Sequence, residues 1–387
     1  MKKNHLKVLA LSLLLPATFA VQSCNNGDDD PITPVTPVGI AANPNDFKGD
    51  VKSGEVVTLD ATKVYKLTGA VHVKDGGQLV IPAGTRIEST GGTAAYVTVE
   101  QGGKIFANGT ASAPVVFTSP AATPGSWGGI VIAGKAPINK GTTASAEVGN
   151  ATYGGTATDD NSGSLTYVRI EYSGAIFTGE KEFNGLSLFG VGKGTTINNI
   201  AVLNGSDDGV EFFGGTVNVS NIISVGNEDD ALDWTEGWNG TATNVYTKRR
   251  SGGIGNRGIE ADNNSNDNNA SPRSNPTIKN ATFIGAAGGE SDGMKLRVGT
   301  YATMDNVVLS NWKTGINLEH DATVSYFNGG GKITNVKFDA VDKNASAKSS
   351  AGANVDVLAN TYTENTSATG AGSGTATPSW AATWSSL

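Results

Sequence analysis

The chain has 387 residues, 28 lysines and arginines against 36 aspartates and glutamates, and a net charge of −8. An acidic chain repels nucleic acid and anionic membrane surfaces, and with only His5, His72 and His320 a histidine-centred hydrolase or a multi-histidine zinc site is excluded. Cys24 is the single cysteine, so no internal disulfide forms; with 52 glycines and few runs at helical spacing, the composition points to an all-β fold held by packing.

In chain order, Lys2, Lys3 and Lys7 precede an apolar stretch, Val8 to Leu15, and small residues lead to Cys24. A basic flank, a short apolar run and a small-residue cleavage site make a secretory signal over residues 1–23 rather than a membrane span. Val21-Gln22-Ser23-Cys24 resembles the bacterial lipobox, which implies a lipid on Cys24 and a membrane as partner. Removing residues 1–23, with three lysines and no acid, takes the net charge to −11. Residues 24–48 are rich in Pro, Asp and Asn without periodicity and read as a flexible tether. Asp28-Asp29-Asp30 just after the cysteine resembles the export signal of Bacteroidota surface lipoproteins, which implies an outer-membrane position facing the exterior.

From residue 49 the chain is a repeat, a right-handed single-stranded parallel β-helix by our reading. GGQLVIPAGTRIES, YVTVEQGGKIFANG, APVVFTS and SWGGIVIAGKAPIN supply short strands and Gly-rich turns for the first rungs. Later units open on Asn199, Asn221, Asn244, Asn280, Asn306 and Asn335, spaced 22, 23, 36, 26 and 29 residues apart, and the 36 holds an insertion of loop composition. A second strand follows each of the first five openings: GVEFFGG, ALDWTEG, GIEADNN, GMKLRVG and GINLEHD. Such short strands at this period fit neither a propeller blade nor a leucine-rich repeat, and ten to twelve rungs at ~4.8 Å each are expected. Alternation points Val210, Phe212, Leu232, Trp234, Ile259, Ala261, Met294, Leu296, Ile316 and Leu318 inward. The repeated asparagines read as a scaffold ladder at sharp left-handed corners. A C-terminal cap is expected from about residue 341, with Trp380 and Trp384 closing the last rung.

SWGGIVIAG, SGSLTYVRIEYSG, the D-D-G-V-E-F-F-G-G rung and the ending WAATW resemble a family of Bacteroidota β-helix surface lipoproteins with the pectin-lyase superfold and largely unassigned function. The resemblance implies a β-helix over residues 50–387 and leaves the chemistry open, since one superfold carries many functions.

The second strands, aligned, place Ser187, Glu211, Asp233, Glu260, Lys295 and Asn317 in one outward column, and Phe189, Phe213, Thr235, Asp262, Arg297 and Glu319 in the next. Asp207-Asp208, Asp229-Asp230 and Asp292 stand in the turns before them. Carboxylates stacked ~5 Å apart repel by about 3 kcal/mol at an effective dielectric near 20. Three accounts stay open: a solvated face balanced by Lys295 and Arg297; a divalent cation, Ca²⁺ by its preference for oxygen, held among Asp207, Asp208, Glu211, Asp229, Asp230, Asp233, Glu260 and Asp262; or catalysis on an acidic polysaccharide. For the last, enzymes of the superfold imply Lys295 or Arg297 as the base, while the Gly-His-Gly element of its hydrolases is missing. Phe189, Phe213 and Trp238 suit sugar rings, unless the long loops 140–163 or 262–275 fold over them. Lys248-Arg249-Arg250 in so acidic a chain is a solvated turn or partner contact. The reading is a surface binding or adhesive lipoprotein for glycan or a cell-envelope protein, without catalysis; the alternative is a Ca²⁺-dependent lyase of uronate chains.

Overall fold

The structure is a computed structural model that describes residues 38–288 and 292–387. It is all-β, a right-handed parallel β-helix with one short α-helix. Each full rung lays strands on three faces. The first face carries Gln78–Pro82, Lys104–Asn108 and residues 163–166, and continues with the opening segments of the later long strands. A corner follows, and residues 168–171, 200–203, 222–225, 245–248, 281–284 and 307–310 form the second face. The third face stacks Val97–Val99, Ile130–Ala133, Leu186–Phe189, Val210–Phe213, Leu232–Thr235, Ile259–Ala261 and Asp292–Leu296.

The corner between the first and second faces explains the repeated asparagines. Asn199, Asn221, Asn244, Asn280, Asn306 and Asn335 all adopt φ between +54° and +57°, a region that Asn tolerates better than most side chains. Their amides form a ladder. Asn221 donates to Asn199 at 3.1 Å, Asn244 to Asn221 at 2.9 Å, Asn280 to Asn244 at 3.0 Å and Asn306 to Asn280 at 2.9 Å. Asn335 instead donates to Asp305 at 2.7 Å, and Asn365 carries the ladder on to Asn335 at 3.2 Å.

Inward positions stack as expected. Val71, Val97, Ile130, Leu186, Val210, Leu232, Ile259, Met294 and Ile316 form one third-face column, all fully buried. Val73, Val99, Ile132, Leu188, Phe212, Trp234, Ala261, Leu296 and Leu318 form its neighbour. The insertion after Ala261 leaves the stacking intact, since Ile259 and Thr277 both pair with the rungs beside them.

The ends differ from expectation. The signal segment, Cys24 and Asp28–Asp30 lie outside the described residues, but the tether does not extend to residue 48. A 3₁₀ turn at Gly39–Ala41 and a strand at Phe47–Val51 already belong to the helix, with Ala41 and Phe47 fully buried. They cover the apolar end of the first rung, which would otherwise face water. At the other end, Ile333–Lys348 is a complete rung rather than the start of a cap, and Tyr362–Glu364 pairs onto it in parallel. The eight-residue helix Asp321–Asn328 packs Val324 and Phe327 onto the core; one such short element leaves no readable periodicity.

Trp380 and Trp384 do not close the last rung. Residues 365–387 run back outside the second face, where Thr282 donates to the Gly374 carbonyl and Tyr246 to that of Thr375. Trp384 ends in a T-shaped contact with Tyr167 at 5.8 Å. This strap covers Ala201, Leu203, Ile223, Tyr246 and Ile284, which are apolar although they point away from the core.

The ladder is testable at Asn244, which donates one amide bond and accepts another. Asn244→Ala should cost about 2–3 kcal/mol in urea unfolding, from two hydrogen bonds and a strained left-handed residue. Asn244→Gly should cost about 1 kcal/mol less, because glycine keeps the conformation at no steric penalty. Equal losses would show that the corner conformation contributes nothing.

Candidate functional site

The outer surface of the third face reproduces the predicted column in register. Asp50, His72, Thr98, Val131, Ser187, Glu211, Asp233, Glu260, Lys295, Asn317 and Ser346 lie one above the next. Alternation along each strand points them outward, while the residues on either side fill the core. Each strand from Leu186–Phe189 to Ile259–Ala261 is entered through a turn whose last residue stacks as well: Asn184, Asp208, Asp230 and Arg257. The backbone amides of Gly185, Gly209 and Ala231 reach the carbonyls of Asp208, Asp230 and Arg257 in turn.

Side chains tie the turn column together. Asp208 Oδ1 accepts the amide of Asp230 at 2.8 Å, and Asp230 Oδ1 accepts that of Arg257 at 2.5 Å. Asp208 and Asp230 are almost fully buried, at 6% and 3% exposure. Three trios each bring one carboxylate oxygen per residue within 4.8 Å of the others: Asp207, Asp208 and Asp229; Asp208, Glu211 and Asp233; Asp230, Asp233 and Glu260. These acidic clusters have the spacing to hold a metal ion.

Charge compensation is uneven along the column. At its lower end Arg257 lies 3.4 Å from Asp230 and 2.8 Å from Glu260. Arg297 clamps Glu260 at 2.6 Å and Asp262 at 2.8 Å. Lys295, one rung on from Glu260, stands 3.9 Å from Glu319. At the upper end, Glu211 accepts from one side chain among the described residues, neutral Asn184 at 2.6 Å. No ion pair reaches Asp207, Asp208, Glu211 or Asp233 among the described residues.

Walls beside the upper end add more acid. Glu147 comes from the excursion of residues 134–162, and Glu182 from the hairpin pairing Ile176–Thr178 with Lys181–Glu182. Burial and mutual repulsion therefore push these carboxyls up. Burial first, then Asp229 and Glu182, raises Asp207 to about 8. Asp230 also reaches about 8, through burial and then Asp229 and Glu260, against the opposing pull of Arg257. Asp208, Glu211 and Asp233 are held well above the usual carboxylate range by burial and then by their acidic neighbours. Asp262 is raised by burial, with Arg297 opposing.

The aromatic residues need correction. Phe189 and Phe213 do point away from the core and stack at 3.9 Å, but they are 1% and 5% exposed. The excursion of residues 134–162 lays Ile138, Val148 and Tyr153 over them, with Tyr153 5.0 Å from Phe189. Neither can meet a sugar. Trp238 is fully buried in the main core, stacked on Phe212 at 3.8 Å; the chain turns inward after Gly237, so it too is withdrawn.

Arg257, Asn184, Glu147 and Glu182 were missed from sequence. For two of them the signal was there: Asn184 before Gly185 and Arg257 before Gly258 occupy the slot of Asp208 before Gly209. Glu147 and Glu182 sit in non-repeating excursions and carry no such signal.

Among the comparisons with known proteins, a family model agrees with the fold. No curated protein matches significantly by sequence. Among solved structures, the enzymatically active domain of tailspike protein 2 from bacteriophage CBA120 aligns at 13% identity with a TM-score of 0.26, covering 77% of this chain and 42% of that one. This chain thus spans less than half the length of that tailspike structure. The model of the pectate-lyase-like β-helix domain matches residues 49–385. The stacked rungs and this match together make the chain a member of the pectate-lyase-like β-helix domain family.

Proposed function

We propose that this protein is a non-enzymatic carbohydrate-binding β-helix of the bacterial cell surface, anchored to the outer membrane through a lipid on Cys24, with Ca²⁺ seated on the upper end of its acidic column. The observation that carries the cation is the convergence of Asp207, Asp208, Glu211, Asp229 and Asp233 in trios within 4.8 Å, with no lysine or arginine ion pair to Asp207, Asp208, Glu211 or Asp233 among the described residues. Oxygen-only donors suit Ca²⁺ rather than zinc. Family membership supports the carbohydrate reading, since the family is named for an enzyme of an acidic polysaccharide.

The cation is tested by thermal melting with Ca²⁺ and with chelator. At one hundred times its dissociation constant, Ca²⁺ should add about 2.7 kcal/mol of stability, and Asp208→Asn with Asp233→Asn should remove the gain. The pH profile supplies a signed check. Carboxyls raised in the folded state bind protons that the unfolded chain has released, so this contribution to metal-free stability is full below about pH 4 and declines as pH rises. The decline continues towards about 8, the folded value of Asp207 and Asp230. Ca²⁺ should abolish or reverse that slope, because it binds the ionised forms. Profiles that coincide with and without Ca²⁺ would remove the cation.

Arg297 spends its guanidinium on Glu260 and Asp262, which weakens it as a base. Lys295 is the residue on which a Ca²⁺-dependent lyase would depend, and membership of a pectate-lyase-like family keeps that second reading in play. Incubation with polygalacturonate and alginate plus Ca²⁺ should yield no unsaturated sugar absorbing in the ultraviolet. Product that disappears in Lys295→Ala would establish the lyase instead.

The anchor is checked by labelling growing cells with a palmitate analogue. Wild type should carry the label in the outer-membrane fraction and lose it, along with surface protease sensitivity, on Cys24→Ala. An unlabelled, freely secreted wild type would refute the lipid.

A further inference from the structure

The two ends of the β-helix are closed unequally. A solenoid needs a cap wherever a rung has no neighbour, and Ala41 and Phe47 are fully buried in covering the first one. At the other end the rung Ile333–Lys348 is covered only in part. Tyr362–Glu364 pairs with it at Ile333 and Val336, and Asn354–Val355 pairs with it at Ala347 and Lys348. Between these contacts, from Lys337 to Ser346, the outer edge of the strand meets no backbone partner among the described residues. An open edge of this kind presents amides and carbonyls that template another strand.

The core is unfinished at the same place. Leu309, Trp312 and Ile316 are buried, yet the residues stacked on them, Phe338, Val341 and Ala345, stay half-buried. Beside Ala345 is a hollow of about 730 Å³ walled by Val357, Leu358 and Tyr362, and Asn344 donates to Glu364 at 2.9 Å at its rim. Leu358 is 49% exposed there, a large apolar side chain with nothing laid over it among the described residues.

Charge adds a further specification. Lys337 and Asp339 flank Phe338 on the open edge, and neither forms an ion pair among the described residues. Elsewhere the fold stacks opposite charges in register, Lys279 beside Asp305 and Glu319 beside Lys348, which is favourable across neighbouring strands. A strand laid on this edge meets the same rule with an acid opposite Lys337 and a base opposite Asp339.

We infer that this end of the β-helix binds an extended segment of another polypeptide, added as one further strand along residues 337–346, with apolar side chains over Phe338, Val341 and Ala345 and opposite charges facing Lys337 and Asp339. Main-chain hydrogen bonds supply the affinity of such an added strand, and the hollow and the charge pair supply its specificity. The surface lies apart from the acidic column and goes beyond the carbohydrate reading.

Fluorescence anisotropy on the full chain tests it with synthetic peptides of alternating valine and threonine. Two successive threonines are replaced by one glutamate and one lysine, by two lysines, or by two glutamates. Wild type should bind the mixed-charge peptide roughly fivefold more tightly than either like-charged one. Lys337→Glu should move the preference to the two-lysine peptide, and Leu358→Glu should weaken all three, each at an unchanged melting temperature. Amide hydrogen exchange within residues 337–346 should slow when the mixed-charge peptide is bound. Binding that ignores the peptide charges and survives Leu358→Glu, or that leaves exchange within 337–346 unchanged, would place the strand elsewhere and overturn the inference. Failure of every peptide to bind wild type would overturn it as well.

Discussion

In a parallel rung every residue sits over its counterpart one rung away, at ~4.8 Å, and the whole molecule follows from what each residue type does under that constraint. Aliphatic side chains stacked like on like simply extend a core, as in the column from Val71 to Ile316. Asparagines gain from it, because each amide is both donor and acceptor and can bond its neighbours above and below. Carboxylates lose: they accept only, and they repel. A single register rule therefore yields a ladder on one corner and an electrostatic liability on another face.

The liability is handled differently at the two ends of the acidic column. Below Asp233 the fold substitutes cations into the same repeat positions. Arg257 takes the turn slot that Asp208 and Asp230 occupy above it, and Arg297 follows Asp262 in the next outward column. That end is a network of ion pairs, and breaking one partner would leave a buried charge uncompensated. Above it, among the described residues, Asn184 alone donates a side-chain hydrogen to Glu211, while Glu147 and Glu182 bring further negative charge to the walls. Loops that merely had to bury this end would not need to be acidic. The upper end is thus where Asp207, Asp208, Glu211 and Asp233 lie together with no ion pair among the described residues, close enough to hold a metal ion.

What was legible in the sequence was whatever the repeat imposes. The asparagine openings, the inward columns and the register from Ser187 to Asn317 could be read because each recurs every rung. What escaped was tertiary cover. Phe189 and Phe213 were placed on the correct side of the sheet, yet their exposure depended on an excursion whose path no period predicts. The strap at residues 365–387 left a trace that was readable in principle: Ile200–Leu203, Ile222-Ile223 and Phe283-Ile284 are apolar at consecutive positions, the mark of a strand buried on both faces. Ile223 and Tyr246 point outward there and required something to lie on them. Trp380 and Trp384 stand near the end of the sequence, but proximity in sequence is not proximity in space, and the strap carries them back to the second face.

One excursion links the two edges of the third face. Residues 134–162 place Glu147 beside Glu211 and put Pro137 and Thr158 at a cleft lined also by Arg273. Between these points the excursion is pinned by apolar contact with the Phe189–Phe213 pair and by Glu236, which accepts from Tyr153 and pairs with Lys140 at 2.9 Å. Glu236 is itself 6% exposed at the end of a rung strand, so the anchor belongs to the scaffold and the two termini of the crossing belong to the loop. The rungs then act as a rigid ruler, and the surface chemistry at either edge is set by what a single loop carries across it. A residue change within the crossing can alter the acidic wall or the cationic cleft without disturbing a stacked position, which is why so regular a core can carry so irregular a surface.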